Sequence, residues 1–122
     1  MAYLFYLILY NMGIILYIIA TILWVIITPI NWVIVSFKHG LSNAYFMETA
    51  IDIDKFGNRN FRTFLNATMR VRNGYKFGNV NETISSALGK NQRDGTLSWF
   101  GKIICLILDT IDENHCKKSI QW

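Results

Sequence analysis

Four residues near the C-terminus concentrate most of the side-chain chemistry in this chain: Asp109, Asp112, His115 and Cys116. The first three repeat every third residue. At a fraying helix end they could converge on one side and offer donors suited to zinc or another transition metal. A plainer account covers the same spacing, with the acids solvated and His115 favoured by the negative end of the helix dipole. The expectation is no metal and no cofactor. Cys116 beside His115 pairs a nucleophile with a base, but sequence neighbours seldom point the same way, so no catalytic dyad is expected. Gly89-Lys90 and Gly101-Lys102 resemble the end of a phosphate-binding loop. Such a loop needs Gly five residues before the Gly-Lys pair and Ser or Thr after it. Ile84 and Thr96 stand at the first position, and Asn91 and Ile103 at the last. No catalytic residue emerges, and the chain is not expected to be an enzyme. Cys105, in an apolar run, reads as a core thiol. A Cys105 to Cys116 disulfide is not expected if this part faces a reducing cytoplasm.

The elements that would position these groups divide sharply. Residues 1–37 contain no Asp, Glu, Lys or Arg, while the twelve basic and eight acidic residues all follow. An uncharged, Ile/Leu/Tyr-rich surface of that extent would aggregate in water, whereas a bilayer is crossed by about 20 apolar residues. The arm is therefore expected to be one transmembrane helix over 1–37, kinked near Pro29, which lacks an amide donor and restricts Thr28. Tyr3, Tyr6 and Tyr10 at one end, and Trp24 and Trp32 at the other, match aromatic girdles at head-group depth, with Lys38 just beyond. Tyr6 to Trp24 covers roughly 27 Å and Tyr10 to Trp32 roughly 33 Å, so both registers fit a hydrocarbon core of about 30 Å. A cleavable signal would need a basic start and a shorter apolar run. Ser42-Asn43-Ala44 is a poor cleavage site. The positive charges of Lys38 and Lys55 after the span place the remainder on the cytoplasmic side or its equivalent. The sequons Asn66-Ala67-Thr68 and Asn81-Glu82-Thr83 are then chance matches.

Residues 38–122 are expected to form a small, mostly helical tail with one β-hairpin candidate, so the fold class is mainly α. Phe61, Phe64, Leu65, Thr68 and Met69 recur at helical spacing after a break at Gly57-Asn58. Asn73-Gly74 between Val71 and Tyr75 is a strong two-residue turn signal. Asn81 would cap a helix ending at Gly89. Thr96 would cap a last helix, apolar nearly all round from Leu97 to Ile111 and so buried, with Phe61, Phe64, Leu65, Tyr75, Phe77, Ile84 and Leu88 covering it. Arg59, Arg62, Arg70, Arg72 and Lys76 lie scattered among acids, which argues against nucleic acid as a partner.

The runs Asn81-Glu82-Thr83-Ile84-Ser85-Ser86-Ala87-Leu88-Gly89-Lys90-Asn91 and 108–120, with Ile53-Asp54-Lys55-Phe56-Gly57-Asn58 and Gly74-Tyr75-Lys76-Phe77-Gly78-Asn79, carry a resemblance. This pattern resembles small proteins of bacteriophages and prophages that have no assigned function. The resemblance implies viral origin and no particular chemistry. The expected function is then structural or contact-based, as a minor component of a lipid-containing virion or viral assembly. Its expected partners are the bilayer, other viral proteins and copies of itself. A host-directed membrane effector, for lysis or superinfection exclusion, is the alternative, and an enzyme using the C-terminal Asp/His/Cys cluster a third.

Overall fold

A chain whose first third lacks charge and whose remainder carries all of it separates into two units, Met1–Asn43 and Ala44–Trp122, in the computed structural model. The structure describes residues 1–40 and 43–122, so the Ser42-Asn43-Ala44 triplet lies in part outside the described residues.

In the first unit, α1 (Ala2–Tyr10) and α2 (Met12–His39) are separated at Asn11. There the backbone departs to φ −100°, ψ 16°, and the side-chain amide donates to the Leu7 carbonyl at 2.9 Å alongside the backbone N–H. Pro29 lies inside α2, which runs through it unbroken. The interruption in the arm therefore falls at Asn11, and α2 continues two residues past the expected boundary at Phe37. The hydroxyl side chains in the apolar run bond within the helix. Thr21 donates to Tyr17 O at 2.8 Å, Thr28 to Trp24 O at 2.6 Å and Ser36 to Trp32 O at 2.8 Å. That is what a medium without water demands. The 28-residue α2 is long and apolar enough to cross a membrane, and none of its most apolar stretch is buried inside the protein.

The second unit comprises α3 (Asn43–Asn60), α4 (Arg62–Thr68), α5 (Ile84–Asp94), α6 (Trp99–Ile111) and α7 (His115–Lys118). Its core gathers Leu65, Met69, Phe77, Ala87, Leu88, Leu97, Cys105 and Cys116, with Ile84, Phe100, Ile104 and Leu108 packed against them. Several boundaries differ from those expected. Gly57-Asn58 lies within α3, and the break comes at Phe61. The cap of α5 is Thr83, whose hydroxyl accepts from Ser86 N at 3.0 Å. Gly89 is interior to α5 because α7 approaches it so closely that a Cβ would collide with the Cys116 carbonyl. The helix stops instead at Gly95, left-handed at φ 70°, a conformation that favours glycine. Ser98, not Thr96, caps α6, accepting from Gly101 N at 3.1 Å.

The expected turn with Asn73-Gly74 at its centre is replaced by one a residue earlier, in which Gly74 N donates to Val71 O at 2.9 Å around Arg72-Asn73, and no hairpin ladder follows among the described residues. Among the described residues there is no strand, and Arg70 pairs with Leu97 as an isolated bridge. The segment after the turn is held by asparagine side chains. Asn91 accepts from Tyr75 N at 2.8 Å and donates to Tyr75 O at 3.0 Å. Asn66 does the same for Phe77, at 2.8 and 3.0 Å. A primary amide presents the donor–acceptor pair that a neighbouring strand would, so short arms unable to make a sheet are satisfied from helices.

Helix α6 is buried on one side alone. Gly101 and Cys105 face inward with Ile104 and Leu108, whereas Trp99, Leu106 and Ile107 are 77%, 67% and 52% exposed. Phe61 and Phe64 are also exposed, so they do not cover it. Leu88→Ala, at a fully buried position, should cost about 2–5 kcal/mol, with Ile104→Ala and Leu108→Ala at or below the low end. Leu106→Ala should stay within about 0.5 kcal/mol. Denaturant unfolding of the chain in detergent micelles checks the contrast.

Candidate functional site at the start of helix α5

Small domains bury polar side chains sparingly, yet Asn58, Glu82, Thr83, Ser85, Ser86 and Asn91 are all buried here. Their charges and dipoles are matched by groups drawn from every part of the unit. The Glu82 carboxylate accepts from the Tyr75 hydroxyl and from Ser86 Oγ, both at 2.8 Å, and pairs with Lys90 at 2.6 Å. Burial disfavours the charge on Lys90, but its bonds to Glu82 and Tyr75 outweigh that and raise its pKa above the ordinary lysine value. From α3, Asp54 accepts Ile84 N at 2.8 Å, and Asn58 accepts Gly78 N at 3.1 Å while donating to Asn79 O and Glu82 O. From the C-terminus, Gln121 accepts Thr83 N at 2.9 Å and donates its own backbone N–H to Ser86 Oγ at 2.8 Å.

The four residues singled out from the sequence do not form one set of ligands. Asp109 accepts Cys116 N at 3.0 Å and Gln92 Nε2 at 3.3 Å, which ties α7 and α5 to α6. Asp112 faces His115 Nδ1 at 3.0 Å and Lys118 at 2.6 Å. Lys118 and then His115 hold its carboxyl below the usual aspartate range. Cys116 is joined to Cys105 in a disulfide with Cα atoms 6.1 Å apart. This corrects the expectation of a free core thiol. Asn114, left-handed at φ 57°, turns the chain back after α6 and delivers Cys116 to Cys105. The sulfur is thereby committed to a covalent bond. Among the described residues no group of three or more His, Cys, Asp or Glu side chains is placed to hold a metal.

His115 has a partner that sequence spacing did not reveal. Its Nε2 lies 3.1 Å from Ser85 Oγ, thirty residues earlier, giving the order Ser85, His115, Asp112 found in nucleophile–base–carboxylate relays. Around it, the amides of Thr83, Ile84 and Ser86 are bonded to Gln121, Asp54 and the Thr83 hydroxyl. Asp54 Oδ2 also stands 3.2 Å from Ser85 Oγ and competes for its proton. These contacts tie α7 and α3 to the first turn of α5. A cavity of about 270 Å³ opens beside it, lined by Ile51, Asp54, Lys55, Ser85, His115 and Gln121 among others.

The interface candidates Tyr3, Tyr6, Tyr10, Trp24, Trp32 and Lys38 all belong to the first unit and are all exposed. Of the sequon asparagines, Asn66 is engaged at both amide atoms by Phe77 and is further bonded by Arg70, whereas Asn81 is exposed. No protein-family model, curated protein or solved structure matches this chain.

Proposed function

We propose that the chain is a phage-encoded, single-pass membrane protein that acts structurally or through contacts, with α2 as its anchor and residues 44–122 as the part that meets lipid, viral partners or further copies. The observation that carries this reading is α2, a 28-residue apolar helix whose most apolar stretch has no protein cover and whose threonine and serine hydroxyls are bonded inside the helix. The buried polar groups around α5 are spent on one another, which suits a rigid scaffold. Alkaline carbonate extraction of expressing cells tests the anchor. The protein should stay in the pellet, and joint Ile19→Arg and Leu23→Arg substitution, at roughly 2.5–3.5 kcal/mol each near a helix centre, should release or aggregate it. Detection in purified particles by mass spectrometry supports a virion component, and absence from them counts against it.

The two indications of sidedness oppose each other. Lys38 and Lys55 favour a cytoplasmic tail, while the Cys105–Cys116 disulfide favours an oxidising compartment, because such bonds are rare in the cytosol. With so few flanking charges, the disulfide is the stronger indication, and we infer an extracytoplasmic folded unit. Thiols should therefore be blocked against alkylation unless reductant is added, and protease supplied outside spheroplasts should digest the tail. Freely alkylated cysteines in a protected tail would restore the cytoplasmic orientation. A bond that closes so short a loop typically contributes about 2–4 kcal/mol, so reduction should also lower the unfolding midpoint.

A further inference from the structure

We propose that the outer face of α6 is a second membrane contact, with Trp99, Ile103, Leu106 and Ile107 seated in the interfacial layer of the bilayer that α2 crosses. At 100° per residue these four side chains share one side of the helix with Thr110, opposite Gly101, Cys105 and Leu108 in the core. The polarity of Thr110 is already consumed, since its hydroxyl donates to Leu106 O at 2.7 Å. Lys102 is exposed at the edge of the face, where its stem can lie along apolar surface while the ammonium reaches head groups. The nearest acid, Asp109, is turned to Gln92 and to the backbone of Cys116. Phe64 and Trp99 line one shallow cavity and extend the apolar surface onto α4, where Phe61 is exposed as well. A long apolar face with an aromatic residue and a flanking lysine is the composition of an interfacial helix.

The occupant is lipid for a reason of connectivity, and the inference rests on the anchor reading. Helix α2 ends at His39 and α3 begins at Asn43, so a spanning α2 keeps the folded unit within a few residues of the head groups. Contact with lipid is then intramolecular, at an effective concentration that a second copy diffusing in the membrane does not match.

The test uses the full chain in vesicles of phosphatidylethanolamine and phosphatidylglycerol, with Trp24, Trp32 and Trp122 replaced by Phe so that Trp99 reports alone. Trp99 emission should shift to the blue, be quenched by bromine-labelled acyl chains and be shielded from aqueous acrylamide. Joint Leu106→Ser and Ile107→Ser substitution should lower the bromolipid quenching several-fold without changing the unfolding midpoint in detergent. If the protein floats with vesicles while acrylamide quenches Trp99 and bromolipid does not, the anchor stands and the docking proposal falls. Blue-shifted emission insensitive to bromolipid, with cross-linked dimers, would assign the face to a second copy and overturn the proposal. Failure to float would remove both.

Discussion

Replacing Gly89 with alanine is expected to unseat α7 from α5 and to destabilise the folded unit by about 2 kcal/mol or more. Two effects compete. In a helix interior alanine is favoured over glycine by roughly 1 kcal/mol, so an uncrowded Gly89 would make the change stabilising. Here the added Cβ would collide with the carbonyl of Cys116 and with Ile120. Forcing extra atoms into a packed contact typically costs about 1–3 kcal/mol, and more where neighbours cannot yield. The obstacle is backbone, held by the Cys105–Cys116 bond and by Asp109, so the steric effect wins. Denaturant unfolding in detergent micelles is the measurement, with Gly13→Ala, where a Cβ meets nothing within 4 Å, as the reference. A midpoint raised by Gly89→Ala would show that α7 does not sit on α5.

Asn58→Ala should cost about 3 kcal/mol. The side chain is fully buried and bonds Gly78 N, Asn79 O and Glu82 O. Each backbone group left without a partner loses about 1–3 kcal/mol unless water enters, and a unit of this size has of order 5–10 kcal/mol in total. Asn58→Asp gives a sharper comparison. It keeps an acceptor for Gly78 N but turns a carboxylate toward two carbonyl oxygens, so at neutral pH it should be worse than alanine and should recover in part when acid protonates it. If the Asn58→Asp variant were as stable as wild type at neutral pH, the donor role of Asn58 would be wrong.

The long apolar helix needed nothing beyond the order of residues. A run without charge from Met1 to Phe37 has one favourable solvent, and hydrophobicity is additive along the chain, so its character survives any tertiary arrangement. The helical character of the tail was legible for the same reason, through the periodic apolar positions of α4, α5 and α6. Features set by single contacts between distant residues were not legible. Gly89 reads as a stop signal until α7 is laid across it, and Asn73-Gly74 reads as a hairpin until Asn66 and Asn91 take the places of the second strand. The largest revision concerns the C-terminal cluster. Spacing of three made Asp109, Asp112 and His115, with Cys116 beside them, look like a set, but spacing constrains direction only while a helix continues. The helix ends at Ile111 with Asp112 extended, and left-handed Asn114 redirects the chain, sending Cys116 to Cys105 and His115 to Ser85. Charge and apolar content could be read along the chain because they act through solvent. Partner choice waited for tertiary structure, because a hydrogen bond or a disulfide depends on distances of a few ångströms between residues that sequence does not place side by side.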